Sequence, residues 1–202
     1  MTRPSRREFL SAAAASAATL GLAGCLGTGF PGGAGAPDRS VYVGAYHWGF
    51  VLLDEDGNEH GQMVLGPGTT VRIVAFNTSA ADAIARLPQA IRNAVPGHEA
   101  LEERNEERIP SPPSGEMHEA LEEANERYPN HSLAVMPSGW NHMRGPMVGG
   151  MMLHPIPLPR TASQPTIAGI RASQRGDYTL SCLEYCGYGH PFMELSGAFV
   201  VK

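Results

Sequence analysis

The run Cys182-Leu183-Glu184-Tyr185-Cys186-Gly187-Tyr188-Gly189-His190-Pro191-Phe192-Met193 packs two thiols, an imidazole and a thioether into one short stretch near the C-terminus. On either side stand segments rich in strand formers, Asp177-Tyr178-Thr179-Leu180-Ser181 and Gly197-Ala198-Phe199-Val200-Val201. This order predicts a ligand loop slung between the last two strands of a β domain, where a rigid scaffold can fix the geometry of a metal site.

Soft sulfur ligands select Cu(I), zinc or iron–sulfur clusters, and a weak methionine ligand turns that choice to copper. A mononuclear blue-copper site uses one cysteine, two histidines and an axial methionine, so a second cysteine is surplus there. Two thiolates can instead bridge two copper ions that share one unpaired electron. Sharing spreads each change in bond length over both metals and lowers the reorganisation that electron transfer requires, with burial and hydrogen bonding tuning the potential. The alternative reading of the pair is a Cys182–Cys186 disulfide, the ordinary fate of two cysteines in an exported protein. That reading leaves His190 and Met193 as ordinary surface and core residues, and their offsets from the cysteines favour copper.

Upstream, the chain reads as strands from Ser40. Val41-Tyr42-Val43-Gly44-Ala45-Tyr46-His47-Trp48-Gly49-Phe50 predicts one strand with Tyr46, Trp48 and Phe50 on a shared face. Asp54-Glu55-Asp56-Gly57-Asn58 predicts a turn; Met63-Val64-Leu65, the turn Gly66-Pro67-Gly68 and the strand Val71–Phe76 follow. An apolar content of 42%, with 24 Gly and 17 Pro, supplies a real core and favours many turns over long helices. Residues 82–128 break the pattern with a near-duplication: His98-Glu99-Ala100-Leu101-Glu102-Glu103-Arg104-Asn105-Glu106 recurs as His118-Glu119-Ala120-Leu121-Glu122-Glu123-Ala124-Asn125-Glu126. Pro110-Ser111-Pro112-Pro113-Ser114-Gly115 lies between the copies. We expect two charged helices joined by a proline-rich turn, inserted over 82–130, with His98, His118 and their glutamates on a solvated face.

The 202 residues allow one ordinary domain plus extensions, and the net charge of −5 gives no reason to expect nucleic acid as a partner. Ser5-Arg6-Arg7-Glu8-Phe9-Leu10 and the Ala/Leu/Gly stretch after it resemble a twin-arginine export signal. Leu22-Ala23-Gly24-Cys25 resembles a lipobox, in which Cys25 is lipidated. An uncleaved membrane helix is the alternative, but the stretch between Arg7 and Cys25 is short for a span. The expected layout is therefore an export signal with lipobox over 1–25, a flexible tether over 26–39 and the folded domain over 40–202. A lipid anchor would hold that domain at the extracytoplasmic face of the cell membrane.

The cysteine run resembles the Cys-x-Glu-x-Cys-x-x-x-His-x-x-Met signature of the CuA domain in subunit II of cytochrome c oxidases, matching at every signature position. The resemblance implies a cupredoxin-like Greek-key β-sandwich. It implies that Cys182 and Cys186 bridge two copper ions, that His190 and Met193 each complete one of them, and that the backbone carbonyl of Glu184 is a further ligand. The family also has an upstream histidine in a His-Ser-(Phe/Trp/Leu)-x-Val-Pro-like segment. His131-Ser132-Leu133-Ala134-Val135-Met136-Pro137 is similar, which makes His131 the candidate. Tyr46-His47-Trp48-Gly49-Phe50 looks like the family's aromatic strand, in which the tryptophan matching Trp48 receives electrons from cytochrome c. The Asp that usually precedes the ligand histidine is absent, with Pro129-Asn130 in its place and Asp82 as a displaced equivalent. The family's Lys-x-Asp-Ala-x-Pro-Gly stretch gives way to Trp140-Asn141-His142-Met143-Arg144-Gly145-Pro146-Met147 and Met151-Met152-Leu153-His154, whose methionines read best as adaptable packing. The function implied is that of the electron-receiving subunit of a haem–copper oxidase. Its partners would be a haem-containing membrane subunit and a cytochrome c or small copper-protein donor. The alternatives are a free-standing lipid-anchored CuA carrier and a copper-delivery protein.

Overall fold

The computed structural model describes residues 36–108, 115–139 and 150–202. The export signal, Cys25, most of the tether, the proline-rich turn and the 140–149 part of the Met/His stretch lie outside the described residues. Two sheets face each other. One is ordered β2-β1-β4-β7, from Gly49–Leu53, Arg39–Tyr46, Thr70–Asn77 and Thr166–Arg171. The other is ordered β3-β9-β8-β5-β6, from Met63–Leu65, Glu194–Val201, Gly176–Ser181, His131–Pro137 and Leu153–Leu158. Both sheets are mixed: β1 runs parallel to β4 and β3 parallel to β9, while the remaining pairs are antiparallel. The chain crosses between the sheets, giving the mainly β sandwich with a helical insertion that the sequence predicts.

Period-two alternation builds the interior. Val41, Val43 and Ala45 of β1 point between the sheets and meet Leu133, Val135, Leu180 and Phe199. Each fully buried aliphatic side chain of this kind contributes roughly 1.5–3 kcal/mol. Tyr42 and Tyr46, on the opposite face of β1, join Val51, Leu53, Val74 and Phe76 in a second cluster. Leu87, Ile91 and Leu101 from the inserted segment complete that cluster. The insertion is thus the cover of a sheet that is buried on both faces, which is why β1 reads as a nearly continuous apolar run.

Three expectations change. The stretch 41–50 is a tight hairpin, with Tyr46 paired to Gly49 across His47 and Trp48, so Trp48 occupies a turn. Tyr46 and Trp48 lie in the outer cluster and Phe50 in the inner one, so the three share no common face. No polar turn signal marks the reversal because the ligand loop covers it. Among the described residues the insertion holds four helices where two were expected: α1 Ala81–Ala85, α2 Gln89–Ala94, α3 His98–Arg108 and α4 Gly115–Arg127. Ile84 and Ile91 of the first two, Leu87 between them and Leu101 of α3 cap the sheet. The tether ends earlier than residue 39, since Arg39 opens β1 and Asp38 exchanges hydrogen bonds of 2.9 and 2.7 Å with Thr70. Met152 packs against the main core, as a packing methionine should. Among the described residues, no helix is long and apolar enough to cross a membrane.

Candidate metal centre

The loop 182–193 joins β8 to β9, and its ends are tied together. Ser181 pairs with Glu194, and the Cys182 N–H donates to the Met193 carbonyl at 3.2 Å. Its first and last candidate ligands therefore start as neighbours. Gly187, at φ +95°, takes a left-handed conformation that favours glycine and lets the loop double back. A single 3-10 turn, His190–Phe192, then carries the chain back to β9. Gly189 rests on the β1–β2 turn so closely that an added Cβ would overlap the His47 carbonyl oxygen.

Strand pairing delivers His131. Ala134 of β5 lies opposite Ser181 of β8, so the antiparallel register carries the start of β5 alongside the start of the loop. Ser132 fixes this junction. Its N–H lies 3.3 Å from Cys182 Sγ, its Oγ accepts from the Leu183 N–H at 2.9 Å, and the same Oγ stands 3.8 Å from Cys182 Sγ. Ligand atoms of His131, Cys182 and Cys186 all lie within 4.8 Å of one another, and all three residues are buried.

Both cysteines are free, with Sγ atoms 3.9 Å apart. The Glu184 carbonyl oxygen lies 3.1 Å from Cys182 Sγ. His190 Nδ1 lies 3.7 Å and Met193 Sδ 3.4 Å from Cys186 Sγ. All the donors expected from the sequence therefore converge on the two sulfurs. His131 Nδ1 is buried with no hydrogen-bond partner, an unusual state for an imidazole nitrogen and one that a metal bond would satisfy. The sulfurs share a proton unequally: a hydrogen bond from the Cys186 thiol favours the Cys182 thiolate, and the same bond, with burial, pushes the Cys186 thiol up. An easily formed thiolate beside an unpaired imidazole nitrogen and a thioether is chemistry suited to a soft metal.

Several further residues surround the site, among them Trp48, which the sequence named. His47 Nδ1 lies 3.4 Å from the Cys186 carbonyl oxygen, an arrangement that places the proton on Nδ1. Its ring meets His131 edge-on at 5.0 Å. Burial, reinforced by His131, lowers the His47 pKa to about 4, so the ring is neutral near pH 7. Trp48 is only 3% exposed and lies stacked beneath Phe192, with ring centroids 5.5 Å apart and planes 14° off parallel. Phe192 is 41% exposed, so the surface above Trp48 is made by the ligand loop itself. Arg108 of α3 donates to the carbonyl of Trp48 at 2.7 Å. Beside Trp48, only His47 had a signal in the sequence, its place in the same aromatic stretch.

No family model matches the chain, and no curated protein matches it. Among solved structures, the periplasmic domain of subunit II of cytochrome oxidase of Bradyrhizobium japonicum is similar at 11% identity, covering 83% of this chain and 86% of that one, with a TM-score of 0.40. A heme-copper terminal oxidase dimer matches at 15% identity over 97% of this chain and 90% of that one, with a TM-score of 0.37. Rusticyanin from Thiobacillus ferrooxidans matches at 14% identity over 81% and 76%, with a TM-score of 0.37. The similarity is low in both sequence and superposition.

Proposed function

We propose that this chain moves electrons through a pair of copper ions, as the electron-receiving subunit of a haem–copper cytochrome c oxidase. The observation that carries the reading is the convergence of two free, buried thiols 3.9 Å apart with a buried His131 nitrogen that has no other partner. His190, Met193 and the Glu184 carbonyl complete a set of six donors. Six exceed the four of a single tetrahedral ion and suit two ions sharing the sulfurs. When bound, the copper pair would supply one-electron redox chemistry with the charge shared between two nuclei.

The protein's own part is to hold the donors still and dry. Cys182, Cys186, His131 and Met193 are all buried, so little solvent need reorganise around the site. Ser132 orients the Cys182 sulfur and His47 the Cys186 carbonyl, which limits movement of the ligands between redox states. The Trp48–Phe192 stack joins the ligand loop to the surface and is the proposed point of arrival for electrons from a cytochrome c or small copper-protein donor. A lipid on Cys25 and the tether after it would keep the domain at the extracytoplasmic face, beside a membrane subunit that holds haem.

Two experiments test this. Reduced protein titrated with copper should bind two ions per chain, and Cys186→Ser should abolish the second; a limit of one ion in the wild type counts against the proposal. Purification of the tagged chain from native membranes should bring down a haem-containing subunit. Recovery of a copper-loaded chain without haem would instead favour the free-standing lipid-anchored carrier.

A further inference from the structure

The duplicated helices α3 and α4 border the ligand loop. We propose that they form a clamp on that loop, gripping its two shoulders through the same position of each copy. The copies are offset so that His98 matches His118 and Arg108 matches Tyr128. Arg108 Nη1 lies 2.7 Å from the Trp48 carbonyl, 3.3 Å from that of Glu194 and 3.4 Å from that of Phe192. Its two hydrogens serve three acceptors, so the Trp48 bond is the firm one and the other two are shared. Phe192 and Glu194 flank Met193, so this grip ties the methionine end of the loop to the β1–β2 turn.

At the other shoulder the Tyr128 ring meets Tyr185 edge-on, at 4.9 Å and 76°. Tyr185 in turn tilts against His190 at 5.8 Å. The backbone of α4 seats against the same segment: a Cβ built on Gly187 would lie 3.4 Å from the Ala124 carbonyl oxygen and from Asn125 Oδ1. One copy thus reaches the segment around Met193, and the other reaches Tyr185, which lies against His190.

The way α3 docks explains why it carries so much charge. Leu101, Arg104 and Arg108 fall at i, i+3 and i+7, which is one helix face. Leu101 is buried in the outer cluster, Arg104 holds Glu59 in a two-pronged pair at 2.8 and 2.9 Å, and Arg108 reaches the loop. Among the described residues Arg108 meets no carboxylate within ion-pair distance, so its charge is directed at backbone carbonyls. A loop that carries ligands along its whole length gains pre-organisation from supports at both shoulders.

The clamp takes its purpose from the copper reading, but its existence can be tested without copper. The metal-free, reduced full chain is treated with iodoacetamide, and alkylation of Cys182 and Cys186 is followed by peptide mapping. Arg108→Gln and Tyr128→Ala should each speed alkylation about tenfold through easier opening of the loop, and the double variant should be faster still. Arg108→Lys should be intermediate, and Glu103→Gln, on the exposed face of α3, should match wild type. Wild-type rates in both single variants overturn the clamp. If Arg108→Gln does not fold, amide exchange over 187–192 of the wild type decides: protection supports the clamp, and exchange as fast as an open loop refutes it. Unchanged alkylation beside an intact copper pair removes the clamp and keeps the copper reading. Clamp-dependent alkylation in a chain that takes up no copper pair does the reverse.

Discussion

Adding one methyl group at Gly189 should separate the ligand loop from the turn beneath it. The backbone there is ordinary, at φ −68° and ψ −15°, so Gly189→Ala introduces no conformational strain of its own. The effect is purely steric. The new Cβ would overlap the His47 carbonyl oxygen and stand 3.0 Å from Cδ1 and Cδ2 of Trp48. Neither neighbour is the free end of a flexible side chain: one is backbone, and the other is a buried ring held under Phe192. Restoring ordinary contact distances requires the loop to lift by about 1 Å. Overpacking of this kind costs typically about 1–3 kcal/mol, and a rigid backbone neighbour places this case at the upper end. Urea unfolding of the metal-free protein should therefore show a loss of about 3 kcal/mol, with an unchanged m-value. Copper uptake should weaken with it, because His190 and Met193 lie on the segment that lifts. A loss below about 0.5 kcal/mol with normal copper uptake would refute the packing of the loop on His47 and Trp48.

Asn77→Ala should cost about 1–3 kcal/mol in the same assay. Its buried Nδ2 donates to the Pro129 carbonyl at 2.8 Å and the Leu158 carbonyl at 3.2 Å, steadying the approach to His131. Ser132→Ala should cost about 1 kcal/mol, since Leu183 N–H loses its acceptor, and should lower the reduction potential in voltammetry by removing the hydroxyl beside Cys182 Sγ. At Asp54, burial opposes ionisation, but hydrogen bonds from His60, Asn58 and the backbone N–H of Asp56 outweigh it and hold the carboxyl well below the usual range. A folded-state value depressed in this way gives stability that is fully present above the unfolded carboxyl value of about 3.9 and is lost progressively as pH falls from there through the depressed folded-state value. Urea midpoints measured from about pH 5 down to about pH 2 should therefore fall less steeply in Asp54→Asn than in wild type.

The ligand loop was legible because its donors are local: Cys182, Glu184, Cys186, His190 and Met193 lie on one run between two strands. His131 was legible by resemblance, and the β5–β8 register shows the physical reason for its position. The supporting residues were not. Ser132 reaches Cys182 across 50 positions and Arg108 reaches Trp48 across 60, so no local pattern announces either contact. The turn at His47 and Trp48 was missed because turn residues are recognised by being polar, whereas these two are covered by Gly189 and Phe192. The helices α1 and α2 were hidden for a related reason. They are short and lie apolar side down on the sheet, through Ile84 and Ile91 with Leu87 between the helices, so the charge pattern that marks α3 and α4 does not extend to them.

The central claim is that Cys182 and Cys186 are shared by two copper ions that act as one redox unit. Electron paramagnetic resonance of the oxidised, copper-loaded chain tests it most directly. A copper pair sharing both sulfurs gives a hyperfine pattern from one unpaired electron shared equally over two copper nuclei, lost in Cys182→Ser and Cys186→Ser. A pattern from a single copper nucleus in the wild-type chain would contradict it.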